Sequence, residues 1–187
     1  MSGPLKITFL GTGTSQGVPV IACDCEVCTS ANSKDKRLRS SILVETAHTR
    51  VVIDTGPDFR QQMLREQVKN LDAVLFTHEH KDHVAGLDDV RAFNFAQKTD
   101  MPLYCTPQVE TALRREFHYA FAEKKYPGVP NLELKTIGLE PFQIGDVPII
   151  PIQVMHHRLP VLGFRIGDFC YVTDANYISP EELQKME

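Results

Sequence analysis

The stretch THEHKDHVAGL constrains the fold of this chain more than any other segment. It follows the short apolar run Ala73-Val74-Leu75-Phe76, which is typical of a buried β-strand. Period two along an extended backbone places His78 and His80 on one side, and a turn then brings in Asp82 and His83 from a helix or loop. Neutral imidazole and carboxylate suit zinc, manganese or iron. The motif therefore predicts a metal site at a strand end.

The composition is that of a globular protein with a substantial core: 42% of the 187 residues are hydrophobic and 24% are charged. A net charge of −4 argues against a surface dedicated to nucleic acid. No apolar run reaches the roughly 18 residues of a transmembrane helix, so none is expected, and neither is a secretory leader. Five cysteines, an odd number, favour a reducing cytoplasm over a disulfide framework.

Periodicity and turn signals give an order of elements along the chain. The runs 42–45 and 51–54 predict a hairpin, and residues 57–67 predict a capped amphipathic helix. After residue 131 the pattern predicts strands at 132–137, 147–154, 162–166 and 169–172. Ser179-Pro180 is then typical of a helix start. Strands that pair, then alternate with helices, then pair again predict two sheets sandwiched between helices.

A second cluster of metal-binding residue types follows the first predicted strand. Cys23, Cys25 and Cys28 form the pattern Cys-x-Cys-x-x-Cys, and three thiolates so close together in a loop are typical of a structural metal clip. A closed tetrahedral site takes four ligands, and no fourth is obvious nearby in the sequence. The alternative is three ordinary free cysteines.

The motif His-x-His-x-Asp-His resembles that of the metallo-β-lactamase-fold hydrolases, and residues 7–13 and 52–56 resemble the first strand and the acidic turn of that fold. The resemblance implies an α/β (α+β) fold, an αββα sandwich of two mixed sheets flanked by helices. It also implies one domain over residues 1–187, with the cysteine clip in a loop at 20–35. We expect the C-terminal strand and helix portion of the family pattern to be missing from this domain.

The resemblance also implies a ligand set for two metals. His78, His80 and His156 would hold the first, and His156 matches the family position better than its neighbour His157. The second metal would be held by Asp82 and His83, with Asp174 bridging the two. The family adds one more histidine near the C-terminus, but no histidine follows residue 157 in this sequence. We therefore expect the first site to bind its metal more tightly than the second.

Within the fold, the segment GTGTSQGVP at 11–19, the cysteine clip and the Arg-x-Arg-x-Ser pattern at 37–41 resemble a bacterial branch of phosphodiesterases. This is the branch of the phosphoribosyl cyclic phosphodiesterases of the carbon–phosphorus lyase pathway. There the three cysteines hold a structural zinc, with a histidine near the C-terminus as the fourth ligand. The resemblance implies hydrolysis of a small, cyclic phosphodiester more firmly than it implies a particular substrate.

The implied mechanism is attack on phosphorus by a hydroxide held on one or two divalent metals, zinc or manganese. A divalent metal lowers the pKa of bound water from ~15.7 to ~7, which is roughly 12 kcal/mol at ~1.36 kcal/mol per unit. A general base alone gives about 3–5 kcal/mol, so metal activation dominates. Asp82 would ligate one metal and orient the hydroxide. Arg91 and Arg39 are candidate phosphate contacts, with a salt-bridged surface arginine as the alternative.

Three other functions stay open at this stage. A tRNA 3′-processing endonuclease shares the motif, but the net negative charge of the chain and the cysteine clip disfavour it. A lactamase or thioesterase lacks support, because nothing marks an amide or thioester pocket. A shortened metal-binding domain without turnover is the alternative of another class. The expected partner is a small phosphodiester, with no membrane, nucleic acid disfavoured, and a homodimer open.

Overall fold

The computed structural model describes residues 4–187, and within them it contains two β-sheets and six α-helices. The strands are β1 (Lys6–Gly11), β2 (Ser41–Glu45), β3 (Arg50–Ile53), β4 (Ala73–Leu75), β5 (Met101–Cys105), β6 (Leu132–Thr136), β7 (Phe142–Ile144), β8 (Val147–His156), β9 (Leu159–Ile166), β10 (Phe169–Tyr171) and β11 (Tyr177–Ile178). The helices are α1 (Glu26–Thr29), α2 (Phe59–Arg65), α3 (Lys81–Val84), α4 (Arg91–Gln97), α5 (Pro107–Glu116) and α6 (Pro180–Gln184). Short 3₁₀ turns lie at Ser33–Asp35, Leu87–Val90 and His118–Ala120.

The first six strands form one sheet in chain order, antiparallel from β1 to β3 and parallel from β3 to β6. The second sheet has the order β10-β9-β8-β11, with β7 also paired to β8. The predicted fold class is confirmed. The second sheet differs from the predicted mixed sheet because all its pairs are antiparallel, and the tight turns from β7 to β10 can join only antiparallel neighbours.

The layers are held together by side chains that alternate between the two faces of each strand. Ile42 and Ile53 of the first sheet are buried between the two sheets. Leu43 and Val52 point the other way and pack beneath the helices. A smaller cluster around β8 and β9 is closed by Met186, just after α6. Each fully buried aliphatic side chain contributes roughly 1.5–3 kcal/mol, and together these clusters fix both sheets in the sandwich.

The two predicted helix starts have different outcomes. Ser179 caps α6, since its hydroxyl accepts a hydrogen bond from the backbone N–H of Glu182. Asp58 stands at the N-cap position of α2 but makes no capping hydrogen bond. Its carboxylate instead binds Arg39, whose guanidinium Nη1 lies 3.0 Å from Asp58 Oδ1. Asp58 therefore joins the loop before α2 to the loop before β2 instead of capping the helix.

The parallel strands β3 and β4 end next to each other, with Ile53 opposite Leu75. Beyond them, the turn at Gly56 and the loop of the histidine motif come into close contact. A Cβ atom at Gly56 would lie 2.0 Å from the backbone oxygen of Asp82, so only glycine allows this approach. Within residues 4–187, every helix is too short or too polar to cross a bilayer.

Candidate metal centre

The motif adopts the local structure that its spacing predicts. His78 follows β4 and is buried, whereas His80 is exposed and occupies the N-cap position of α3. Asp82 and His83 lie within that four-residue helix. Four potential ligands thus converge at one end of the first sheet, two from an extended segment and two from a helical turn.

These side chains form two compact groups that share one residue. In the first group, ligand atoms of His78, His80 and Asp174 all lie within 4.8 Å of one another. In the second, ligand atoms of Asp82, His83 and Asp174 meet the same limit. Residue 174 follows β10 and is brought to the motif by the second sheet. The sandwich therefore assembles the centre from residues about 90 positions apart in the sequence.

Asp174 faces both groups with a single oxygen atom. Its Oδ2 lies 3.6 Å from His78 Nε2 and 3.4 Å from His83 Nε2. Its Oδ1 accepts a hydrogen bond of 2.9 Å from the hydroxyl of Thr173. The backbone of Asp174 is left-handed, with a φ of 56°, a conformation that aspartate tolerates better than most residues. One carboxylate oxygen thus faces an imidazole of each group, and the other is held by Thr173.

Asp54, which sequence analysis treated only as part of an acidic turn, lies beneath the centre and organises it. Its carboxylate is fully buried. Oδ2 lies 2.7 Å from Nδ1 of His83 and accepts a hydrogen bond of 2.8 Å from the hydroxyl of Thr77. Oδ1 accepts a further bond from the backbone N–H of Thr77. The same carboxylate therefore supports His83 directly and supports His78 through Thr77.

The hydrogen bonds around Thr77 fix the protonation of His78. The Thr77 hydroxyl gives its proton to Asp54, so at its 2.9 Å contact with His78 Nδ1 it can only accept. The proton of His78 therefore resides on Nδ1, and the lone pair of Nε2 is directed into the centre. Nε2 is buried and has no hydrogen-bond partner among the described residues. A buried acceptor of this kind fits a metal ligand, so the side chains suit the cation that the motif predicts.

The pKa values of the two buried histidines are shifted in opposite directions. Burial, together with the nearby charge of His83, lowers the pKa of His78 to about 4. Burial alone would also lower the pKa of His83, but the carboxylates of Asp54, Asp174 and Asp82 outweigh it and raise the pKa to about 12. The hydrogen bond from His83 in turn holds the pKa of Asp174 well below its usual range. In the metal-free protein, the positive charge of the His83 imidazolium offsets the negative charges of Asp54, Asp82 and Asp174.

His156 lies at the end of β8, beside the first group. Its ring centroid is 5.2 Å from that of His80 and 6.0 Å from that of His78, although it is not a member of the compact ligand group. His157 is exposed and has a left-handed backbone. The structure thus brings His156 into ring contact with the motif.

The two arginines proposed for phosphate are each paired with a carboxylate. Arg39 is held by Asp58 and also donates from Nε to the backbone oxygen of Ser15. Arg91 pairs with Asp88 at 3.2 Å, and its side chain is 46% exposed. Arg91 also donates from Nη1 to the backbone oxygen of Gly128 at 3.5 Å. Both guanidiniums are thus held by a carboxylate and a backbone oxygen, and Arg91 is the more exposed of the two.

The cysteine clip also forms a compact group. Sulfur atoms of Cys23, Cys25 and Cys28 all lie within 4.8 Å of one another, and no fourth ligand joins them within residues 4–187. The backbone N–H of Val20 donates to Cys28 Sγ at 3.3 Å. Hydrogen bonding from the backbone of Cys28 and from Cys23 lowers the pKa of Cys25 to about 7, and a thiolate is the form that binds metal.

Comparison with known proteins places this geometry in a family. A family model described as a beta-lactamase superfamily domain matches residues 49–187. The chain therefore belongs to the beta-lactamase superfamily, and its two sheets and helices form the metallo-β-lactamase fold. The grouped histidines and aspartates are residue types that bind divalent metals.

Individual relatives refine this assignment. A crystal structure described as a new diphosphatase from the PhnP family superposes with a TM-score of 0.89 at 37% identity, covering 97% of this chain and 70% of that one. A protein of Porphyromonas gingivalis W83 named octanoyltransferase is 43% identical over 182 residues, 96% of the chain but 37% of that protein. A ribonuclease Z of Nostoc punctiforme is 25% identical over 170 residues, 88% of the chain and 47% of that protein. The chain thus spans less than half the length of these two relatives.

Proposed function

We propose that this chain is a metal-dependent phosphodiesterase that acts on a small, cyclic phosphodiester. The observation that carries the proposal is the position of Asp174 Oδ2, which is 3.6 Å from His78 Nε2 and 3.4 Å from His83 Nε2. One oxygen so placed can serve two ligand sets, and two neighbouring cations recur in enzymes that cleave phosphate esters. The 37% identity to a PhnP-family diphosphatase supports a phosphoryl substrate.

In this proposal each ligand group holds one divalent metal, zinc or manganese. His78, His80, His156 and Asp174 would hold the first metal, and Asp82, His83 and Asp174 would hold the second. A cation in such a site supplies Lewis acidity towards a phosphate oxygen and provides a nucleophile from water near neutral pH. Asp54 and Thr77 keep the two buried imidazoles in the tautomers that leave Nε2 free to bind.

The remaining residues orient the reactants. Asp82 Oδ2 lies 3.2 Å from His83 Nε2, where it would serve as a ligand of the second metal and orient the nucleophile. Arg91 is the arginine that we propose for the phosphate, because its side chain is 46% exposed. Arg39 reaches a phosphate only if it leaves Asp58.

The cysteine clip is proposed to hold a structural zinc rather than a catalytic one. Three sulfur ligands suit zinc, and the lowered pKa of Cys25 favours the thiolate. All five cysteines are free thiols, which suits a reducing compartment such as the cytoplasm. A zinc at this position would fix the loop between β1 and β2, which also carries Arg39.

The tRNA 3′-processing endonuclease is the second candidate, and it is favoured by the 25% identity to a ribonuclease Z. Against it stands the net charge of −4, because RNA binding draws on positive charge. A metal-binding domain without turnover is the third candidate. It predicts tight metal binding with no product from either kind of phosphodiester.

The proposal is tested by hydrolysis assays on the chain loaded with zinc or manganese. We expect release of p-nitrophenolate from bis(p-nitrophenyl) phosphate, with loss of activity in Asp174→Asn and no loss in the exposed control Asp168→Asn. Precursor tRNA is assayed in parallel. Cleavage of tRNA alone at defined sites would establish the endonuclease instead, and metal binding without either product would establish a domain that lacks turnover.

A further inference from the structure

Tyr171 ends β10, three residues before Asp174. Its side chain is 7% exposed and belongs to the apolar cluster between the two sheets, as do Ile53 and Leu75. Those two residues end β3 and β4, the strands that lead to Asp54 and to the histidine motif. The ring of Tyr171 therefore lies in the core that supports the ends of these strands.

The hydroxyl of Tyr171 is an unexplained polar atom in this cluster. It is buried and has no regular hydrogen-bond partner within residues 4–187. An unpaired buried hydroxyl is destabilising, and phenylalanine would fill the same space without one. The hydroxyl therefore calls for an explanation other than packing.

Two carboxylates of the metal centre act on this hydroxyl. Burial, together with the negative charges of Asp54 and Asp174, raises the pKa of Tyr171 above its usual range, and hydrogen bonding with Thr173 opposes that shift. The phenol therefore stays protonated and keeps a proton to donate. Because both carboxylates act on it, the hydroxyl lies at the base of the centre and not in a remote part of the core.

Thr173 connects Tyr171 to Asp174. It follows Tyr171 by two residues, a spacing that puts both side chains on one face of an extended chain. The Thr173 hydroxyl gives its proton to Asp174 Oδ1 at 2.9 Å. Its oxygen therefore remains able to accept a hydrogen bond, and the protonated phenol of Tyr171 is the donor that acts on it.

The first sheet contains the same arrangement. There the Thr77 hydroxyl donates to the buried Asp54 and accepts from His78. In each sheet, the residue directly before a proposed ligand is a threonine whose hydroxyl contacts that ligand. A buried polar group behind the threonine completes the arrangement in the first sheet, and Tyr171 occupies the corresponding place in the second.

We propose that Tyr171 is a positioning residue for Asp174. Its hydroxyl donates to Thr173, whose own hydroxyl holds Oδ1 of Asp174, so that Oδ2 stays turned towards the two ligand groups. The inference rests on the proposed function in that Oδ2 is taken to serve two metals. It assigns to the second sheet the fixing of the carboxylate, as Asp54 of the first sheet fixes the imidazoles.

The test is Mn²⁺ binding, followed by the EPR signal of the free ion. Mn²⁺ prefers oxygen and nitrogen ligands, so it reports on this centre and not on the cysteine clip. Tyr171→Phe should bind Mn²⁺ about 10-fold more weakly, the lower end of the usual cost of losing a partner behind a ligand. Tyr104→Phe is the matched control, because Tyr104 packs against the same cluster, and it should bind normally. Unchanged affinity in Tyr171→Phe would overturn the proposal.

A double-mutant cycle separates positioning from packing. Thr173→Val should weaken Mn²⁺ binding at least as much as Tyr171→Phe, and Thr173→Ser should restore it. If Tyr171 acts through Thr173, the double variant should bind no more weakly than Thr173→Val alone, whereas additive losses would contradict the connection. Turnover is not measured, so a chain that binds Mn²⁺ without hydrolysing a phosphodiester would refute the proposed function and leave this assignment standing.

Discussion

Asp54 Oδ2 lies 2.7 Å from Nδ1 of His83, beneath the candidate metal centre. This contact leaves Nε2 of His83 facing Asp82 and Asp174 at 3.2 and 3.4 Å. Through Thr77, the same carboxylate also sets the tautomer of His78. A single buried aspartate, which is not itself a proposed ligand, thus orients one imidazole in each ligand group.

Replacement of Asp54 by asparagine should weaken metal binding about 10- to 100-fold, the usual cost of losing a partner behind a ligand. The asparagine keeps the shape but removes the charge that supports His83. Competition with a chromogenic chelator measures the effect. The exposed Asp100 provides a control, since Asp100→Asn should bind metal normally, and equal affinities for both variants would contradict the role assigned to Asp54.

Replacement of Thr77 by valine should destabilise the metal-free protein by about 1–3 kcal/mol, because it removes the hydroxyl that joins His78 and Asp54 and leaves buried polar atoms unpaired. Urea unfolding measures the loss. Thr77→Ser keeps the hydroxyl and should recover most of the stability. Thr111→Val changes an exposed threonine and should have little effect. Full stability in Thr77→Val would disprove the network.

The pH dependence of the metal-free protein should reflect its two buried histidines. His78 has a folded pKa of about 4, below the unfolded value near 6.5. The unfolded state therefore binds a proton more readily, and the free energy of unfolding decreases as pH falls from ~6.5 towards 4. The full difference is roughly 3 kcal/mol at ~1.36 kcal/mol per unit. His83 has a raised pKa of about 12, so its contribution is present below pH ~6.5 and is lost as pH rises.

Unfolding of the chelator-treated protein across this range should therefore show a maximum near pH 6.5. The decrease in unfolding free energy below pH 6.5 should be smaller in His78→Asn. It should be unchanged in His48→Asn, which alters an exposed histidine. A stability that rises steadily from pH 6.5 to pH 4 in the metal-free protein would show that His78 is not held neutral.

The cysteine clip gives a prediction independent of catalysis. Cys28→Ser should remove one equivalent of zinc per chain and lower the melting temperature, because three sulfur atoms within 4.8 Å then become two. Metal content after dialysis, measured by mass spectrometry, tests this. Cys170→Ser is the control, since Cys170 belongs to the cluster on β8 and β9. Unchanged zinc content in Cys28→Ser would show that the clip holds no metal.

The sequence predicted that the motif residues would lie close together, because their spacing is local. A strand followed by a helical turn places His78, His80, Asp82 and His83 together whatever the rest of the chain does. Asp174 and His156 needed the family resemblance, since only the second sheet brings them to the motif. The structure brings Asp174 into both groups and leaves His156 in ring contact beside them.

Asp54 was missed for a physical reason. Its importance depends on β3 and β4 being parallel neighbours with Ile53 opposite Leu75, a register that sequence patterns do not encode. The signal available was an aspartate directly after an apolar strand, as in the motif itself. The strands β7 and β11 were also missed, because three and two residues are too short for a periodicity to be recognised.

The central claim is that one cation is held between His78, His80 and Asp174. Anomalous diffraction from crystals grown with zinc, recorded on both sides of the zinc absorption edge, tests it most directly. We predict a strong zinc peak bonded to Nε2 of the buried His78 and to Oδ2 of Asp174, with a second peak beside His83. Crystals with zinc on the cysteines alone, and with the imidazole of His78 facing no ion, would contradict the claim.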